Sequence, residues 1–267
     1  MQSSALDRST EEFIADAVLA VGTENINFET VDFRPLINWL LSDRAPDVVF
    51  LQEFTDLAKQ ALETPNIAER YPNRVFAPQS DQFGLAILSC HQLTDVVKIE
   101  PSEIRETLRL RAILKFSGNT IVRISALHPM PPLNASLAQI RDQMLIEESQ
   151  LLSQSGGLGL ISGDFNTTSW ARGMFAMDAK FRRAGGPTAS WPNIYGLSFL
   201  PLDHILATRD WQLINSERGP DLGSDHRPVL VRLVRQHTVC CEQMQKHLTY
   251  QRWGTCLSNR HSKASLA

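Results

Sequence analysis

Two short segments carry side chains whose types and spacing could do chemistry together. In Ser162-Gly163-Asp164-Phe165-Asn166 the apolar run Leu158–Ile161 leads into a carboxylate and an amide two residues apart, so the alternation of an extended chain sends both to one face. In Gly223-Ser224-Asp225-His226-Arg227-Pro228 a carboxylate stands beside an imidazole just before the apolar run Val229–Val234. Such a pair offers a partner for a metal or a phosphate, together with a group that exchanges a proton near neutral pH. Other polar residues also close apolar runs: Glu53 after Val48–Gln52, His128 after Ala126-Leu127, Asp203 beside His204, and the amides of Asn25 and Asn27, spaced to share a face. Oxygen ligands of this kind suit a hard cation such as Mg²⁺. Each fragment alone also fits a strand that ends in an Asx-type turn or a solvated strand end, so the case rests on their recurrence after strands.

Positioning these residues calls for an α/β domain. Strands are expected over 17–26, 48–53, 84–89, 110–116, 120–128, 158–163, 202–207 and 228–234, where β-rich apolar runs are bounded by turn residues. Phe33, Leu36, Ile37, Leu40 and Leu41 recur along one helical face before Pro46, and a second helix over 135–153 opens at a capping candidate, Asn134, and stops at Ser155-Gly156-Gly157. Residues 167–201, rich in Gly, Pro, Ser and Trp, read as a surface excursion near the site with a short helix after Ser169. The expected organisation is one domain over 17–235, an N-terminal extension over 1–16 and a loosely ordered tail over 236–267.

Charge and composition narrow the classes. Residues 237–267 hold four Lys/Arg and one acidic residue, which leaves 22 Lys/Arg against 28 Asp/Glu in residues 1–236. A body this acidic lacks the sequence-independent attraction of proteins that coat duplex DNA. No apolar run approaches the ~18 residues of a membrane span, and the acidic start does not resemble a signal peptide, so a cytoplasmic, monomeric chain is expected. The four cysteines, Cys90, Cys240, Cys241 and Cys256, show neither zinc spacing nor a disulfide framework, which points to a reducing compartment. Gly-x-Ser-x-Gly, a P-loop and His-Glu-x-x-His are all absent from the sequence, so nothing comparable supports another enzyme class.

Taken in order, Asn25-x-Asn27, Gln52-Glu53, His128, Gly163-Asp164-Phe165-Asn166, Asp203-His204 and Ser224-Asp225-His226 resemble the endonuclease/exonuclease/phosphatase superfamily, over about residues 17–235. His128-Pro129-Met130-Pro131-Pro132 and Ser190-Trp191-Pro192 look like a bacterial branch of it. The resemblance implies a deoxyribonuclease I-like four-layer α/β sandwich, two mixed sheets face to face with helices outside. It implies that Glu53, with Asp225 and the amide of Asn27, holds Mg²⁺ or Mn²⁺. Asn25, Asn166, His128 and His226 would bind the phosphate. Asp164 would orient or deprotonate the attacking water, with Asn166 fixing Asp164, while Asp203 would orient His226 as it bonds the phosphate or protonates the leaving group. That set suits phosphoryl transfer, which needs charge neutralisation, an oriented nucleophile and leaving-group protonation. A nuclease is the leading expectation, and a phosphoesterase acting on a lipid or inositol phosphate is the alternative. A non-catalytic binding module of the same fold is a further one. Trp170, Arg172, Phe175, Arg182, Arg183 and Trp191 in the excursion read first as a local apolar cluster with solvated arginines, and in a functional role would serve stacking on bases or contact with a membrane surface equally well.

Overall fold

The computed structural model describes residues 18–102, 106–118 and 120–236. Residues 1–17 and 237–267, which hold the expected N-terminal extension and nearly all of the expected tail, lie outside them.

Twelve strands among the described residues form two six-stranded sheets. The first contains β1 (Val18–Asn25), β2 (Val48–Gln52), β3 (Asn73–Ala77), β4 (Leu85–Ser89), β11 (Trp211–Arg218) and β12 (Val229–Arg235), in the order β11-β12-β1-β2-β4-β3. The second contains β5 (Gln92–Ile99), β6 (Arg109–Lys115), β7 (Ile121–Leu127), β8 (Leu158–Asp164), β9 (Phe181–Arg183) and β10 (Asp203–Thr208), in the order β5-β6-β7-β8-β10-β9. Each sheet has a parallel pair at its centre, β1 with β2 and β7 with β8, and antiparallel neighbours outside. A parallel pair needs a crossover, and helices supply it: α1 (Arg34–Leu40) joins β1 to β2, and α4 (Ala135–Gln154) joins β7 to β8. Two further helices, α2 (Asp56–Leu62) and α3 (Pro65–Arg70), follow β2.

Alternation along the strands divides the core. Leu19, Val21, Val48, Phe50 and Val231 of the first sheet face Leu110, Ile124, Leu160 and Ile205 of the second, in one apolar layer between the sheets. Ala20, Val49, Leu51 and Leu230 turn outward onto Leu36, Trp39 and Leu40 of α1 and onto Leu62 and Ile67. Leu127, Ile161 and Leu206 turn outward onto Leu145 and Leu152 of α4. The result is the four-layer sandwich that the family resemblance implied. Asn134 caps α4 by accepting from Leu137 N at 2.9 Å, and Gly156 and Gly157, at φ 66° and 76°, end it.

All eight expected strands are present, with ends shifted by a residue or so, as are the helices expected before Pro46, over 135–153 and after Ser169, the last being α5 (Arg172–Ala176). β3, β5, β9 and β11 were not anticipated. β5 is an edge strand with Val96 and Val97 about half exposed, and β11 shifts register between Leu213 and Asn215, so neither shows a clean apolar alternation. The signals for α2 and α3 were legible: Thr55 and Thr64 accept from Ala58 N and Ile67 N as N-caps.

Gly84 lets the chain entering β4 pass the end of β2, where Phe54 N donates to Gly84 O and Gln79 N to Phe54 O. A Cβ at Gly84 would lie 1.9 Å from Phe54 O. Gly84→Ala is therefore expected to destabilise the protein by about 3 kcal/mol or more, read as a fall in Tm of roughly 6–12 °C. A Tm within a degree of the parent would show that the two segments separate freely.

Candidate active site

The inner face of each sheet stays apolar until one rim, where the same alternation delivers polar side chains. On β1 the inward series Leu19, Val21 continues to Thr23 and Asn25, on β8 Leu158 and Leu160 continue to Ser162 and Asp164, and on β7 Ile124 and Ala126 continue to His128. Antiparallel pairing of β10 with β8 sets Asp203 opposite Asp164, and pairing of β12 with β1 brings residues 224–228 beside Asn25. The rim thus joins the C-terminal ends of both central parallel pairs to the N-terminal ends of their antiparallel neighbours.

All nine expected residues, Asn27 included, meet there. Asn25 Nδ2 donates to Glu53 Oε1 at 2.9 Å and to Asp164 Oδ2 at 3.1 Å, the second bond crossing from one sheet to the other. Glu53 Oε2 accepts from Phe28 N at 2.8 Å. Asn27, in a left-handed turn at φ 58°, donates its amide to Asp225 Oδ1 at 3.0 Å. The other oxygen of Asp225 accepts from the Trp191 indole N–H at 3.1 Å. Asn166, also left-handed at φ 49°, holds Asp164 Oδ1 through its backbone N–H at 2.8 Å. Its amide instead donates to Pro129 O at 3.0 Å and lies 3.3 Å from His128 Nε2, so fixing Asp164 falls to the main chain of Asn166.

Two imidazoles face the same carboxylate oxygen. His128 Nε2 and His226 Nε2 lie 3.5 and 3.6 Å from Asp164 Oδ2, too long for strong hydrogen bonds, so both ring nitrogens face the space beside that oxygen, His128 Nε2 with the Asn166 amide also near it. His128 is oriented by Gln82 O, 2.9 Å from its Nδ1, and His226 by Asp203 Oδ2, 2.7 Å from its Nδ1. Burial disfavours the His226 imidazolium, but the charges of Asp203 and Asp164 outweigh it and push the pKa up to about 10. Burial opposes the charged form of His128 as well, and Asp164 again prevails and raises it. Burial likewise works against ionised Asp164, yet His226, His128 and the Asn166 N–H hold its carboxyl below the usual carboxylate range.

Several supporting residues escaped the sequence reading. Ser224 Oγ donates to Asn25 O at 2.6 Å and accepts from His226 N at 3.0 Å, locking the last segment to the first strand. Arg141, on the buried face of α4, donates to Asn166 O at 3.0 Å. Its signal was present, since position 141 follows Leu137 at the spacing of one helical face. Gly163, at φ 150°, has no room for a Cβ, which would sit 1.8 Å from Leu127 O. His204 turns away from the site, stacks on Phe165 and bonds Thr167 O at 2.8 Å, and burial lowers its pKa to about 4. Glu24, next to Asn25 in the chain, is fully buried without a hydrogen-bond partner among the described residues, and burial holds its carboxyl well above the usual range.

The oxygen donors fit a hard divalent cation. Glu53 and Asp225 are tied together through Asn25 and Asn27, whose backbone N–H to side-chain bond of 3.0 Å links the two amides. Asp164, Asp203 and His226 also bring ligand atoms within 4.8 Å of one another. There, however, the short Asp203–His226 bond already occupies one imidazole nitrogen.

This convergence of acids, amides and imidazoles at the rim of two packed sheets defines a phosphoesterase-type centre. The model of the endonuclease/exonuclease/phosphatase family matches residues 25–226, and the chain belongs to that family, a metal-dependent hydrolase of phosphate esters. Among solved structures it is similar to an endonuclease/exonuclease/phosphatase from Bacteroides vulgatus, at 14% identity and TM-score 0.66 over 82% of this chain and 99% of that one. It is also similar to D. rerio TDP2 in complex with a single-strand DNA product, at 18% identity and TM-score 0.64 over 81% and 99%. A conserved protein of unknown function from Enterococcus faecalis matches at 18% identity and TM-score 0.64 over 81% and 100%. At these identities the likeness shows the fold. No curated protein matches the chain in sequence.

If Asp203 sets the charge of His226, Asp203→Asn removes the nearer of two facing carboxylates while burial persists, so the His226 pKa should fall from about 10 toward the ordinary value of ~6.5. NMR titration of the metal-free protein reads this directly. Stability from the charged imidazole is fully present below about pH 6.5 and is lost as pH rises through about 10, so the parent's Tm should decline across that window more than the variant's. The same substitution should lower kcat by about 10²–10⁴, and the Asp203→Asn/His226→Ala double variant should cost little more than either change alone. Losses that multiply would show that the two residues act independently.

Proposed function

We propose that the chain hydrolyses phosphodiester bonds of nucleic acid, with Mg²⁺ or Mn²⁺ as its cation. The observation that carries this reading is the convergence of Asn25 Nδ2, His128 Nε2 and His226 Nε2 around Asp164 Oδ2 at 3.1, 3.5 and 3.6 Å, a ring of donors around a buried anion. A phosphate meeting that ring finds its negative oxygens faced by two imidazoles whose pKa values nearby carboxylates raise, Asp203 and Asp164 for His226 and Asp164 for His128. Glu53 and Asp225, with Asn27, would hold the cation, which would supply positive charge to neutralise the phosphate and favour attack on it. Asp164, held below the usual carboxylate range, is a weak base, so its part is to orient the attacking water. His226 Nε2 bonds a phosphate oxygen or gives its proton to the leaving oxygen, with Asp203 holding the ring. His128 Nε2, kept in place by Gln82 O, bonds a second phosphate oxygen. Nucleic acid as substrate is supported by the similarity to D. rerio TDP2, whose structure contains single-strand DNA product.

Plasmid DNA, single-stranded DNA, RNA, an abasic duplex, sphingomyelin and phosphoinositides, each assayed with Mg²⁺, Mn²⁺ and chelator, test the reading. Turnover of a nucleic acid that chelator abolishes is the expected result. Turnover confined to the lipids would overturn it. Glu53→Gln keeps the size of the side chain and removes its charge, so activity at saturating Mg²⁺ should fall by about 10²-fold or more while Tm moves by only a few degrees. Activity within about threefold of the parent, well under the ~1.4 kcal/mol of a tenfold change, would remove Glu53 from the cation site.

A further inference from the structure

From Ala184 to Leu202, between β9 and β10, the chain carries no acidic, basic or histidine side chain. Within this stretch it folds back as a narrow hairpin. Leu200 N and Phe199 N donate to Trp191 O at 2.7 and 3.1 Å, and Ile194 and Leu197 exchange backbone bonds of 2.9 and 3.0 Å. The root of the hairpin is fastened to the catalytic segment, with Asn193 N donating to Asp225 O at 2.6 Å, Arg227 N to Ser190 O at 3.0 Å, and the Trp191 indole to Asp225 Oδ2 at 3.1 Å. Its outer part is bare: Ile194 is 50% exposed, Tyr195 fully so, Leu197 61% and Phe199 62%.

The turn itself is built against local preference. Tyr195 and Gly196 occupy its two central positions with φ 52° and 78°. Two-residue turns with positive φ at both centres favour Asn-Gly, because most L side chains crowd the backbone in the left-handed region. A tyrosine is therefore held in a disfavoured conformation and gains no burial in return. Such an exposed ring favours a contact that the described residues do not supply.

We propose that this hairpin is a platform for the faces of unstacked bases, and that the enzyme acts on single-stranded nucleic acid in preference to duplex. The proposal rests on the nucleic-acid reading of the same site. Base faces pack on aromatic rings whatever the sequence, and Tyr195 and Phe199 stand exposed beyond Trp191, whose ring lies 6.3 Å from that of His226. The scissile phosphate is held at the centre, so the hairpin needs no cation of its own to hold the strand. A duplex presents mainly phosphates and keeps its bases stacked, and an uncharged hairpin on an acidic body offers those phosphates nothing. Anchors for lipid surfaces pair a broad apolar face with Lys or Arg, whereas this tip is narrow and without charge.

Fluorescence anisotropy of a labelled oligothymidylate, with Ca²⁺ in place of Mg²⁺, measures binding without turnover. Tyr195→Asn and Phe199→Ala should each weaken binding of the single strand about 5- to 150-fold, whereas Tyr195→Phe, which keeps the ring, should bind like the parent. Because Asn suits the turn, Tyr195→Asn should show an equal or higher Tm, which separates a lost contact from a damaged fold. Turnover of bis(4-nitrophenyl) phosphate, a diester without bases, should be unchanged in all three variants. Single-strand binding by Tyr195→Asn and Phe199→Ala equal to that of the parent would overturn the proposal. So would parallel losses on the small diester and the oligonucleotide, or a parent that binds duplex as tightly as single strand. Tyr195-dependent binding to phosphatidylcholine vesicles without binding to the oligonucleotide would make the tip a lipid contact and overturn it too. A parent that turns over the small diester but neither binds nor cleaves nucleic acid would sink the nucleic-acid reading itself. A parent that cleaves nucleic acid while Tyr195→Asn is unaffected would remove only the platform.

Discussion

A carboxylate buried at the seam of two sheets is the constraint around which the rim is organised. An isolated charge there would cost several kcal/mol, so Asp164 persists as an anion only because donors surround it. Asn25 bonds one oxygen from the opposite sheet, the Asn166 N–H bonds the other, and two imidazoles close the remaining side. Each donor must in turn be held: His226 by Asp203, His128 by Gln82 O, and Asn25 by Asn27 N and Ser224. What stabilises the charge is thus also what arranges the rim, since Asn25, His128 and His226 all gather around one oxygen of Asp164.

The second carboxylate sharpens the balance. Strand pairing fixes Asp203 directly opposite Asp164, and two anions so close are tolerable only with a cation between them. His226 lies between them, bonded to one and 3.6 Å from the other, which is why its imidazole stays charged despite burial. Glu53 and Asp225 gather a further pair of acids on the solvent side, tied through Asn25 and Asn27 rather than through a histidine. The two halves of the centre therefore differ in kind: the His226 imidazole lies between the inner pair of acids, and the outer pair is held by amide and indole N–H groups.

The apolar scaffold makes this precision affordable. Gly84 and Gly163 let backbones approach where no side chain fits, and the left-handed turns at Asn27 and Asn166 aim their N–H groups back at Asn25 and Asp164. Arg141 reaches from the helix layer to hold the carbonyl of Asn166, so the outer layer also takes part in positioning the rim.

Much of this was legible before any fold was known. Apolar runs closed by Asn25, Glu53, His128 and Asp164, and one opened by Asp203, reveal both the strands and the side chains at their ends, because burial on both sides of a sheet enforces apolar character until the rim begins. The edge strands β3, β5 and β11 were not legible, since half-exposed positions are released from that rule. The role of Gln82 was equally silent, because it orients His128 through a backbone carbonyl that every residue possesses. His204 shows the converse, as its sequence neighbours Asp203, yet the two-residue period of the strand turns it into the outer layer against Phe165. The sequence by itself determined which residue types lie at strand ends, and hence the class of chemistry. Only the tertiary structure decided that Asn25 bonds Asp164 across 139 positions of chain, and that two imidazoles share one carboxylate oxygen. Those distances follow from the packing of one sheet on the other, a long-range fact that no local pattern encodes.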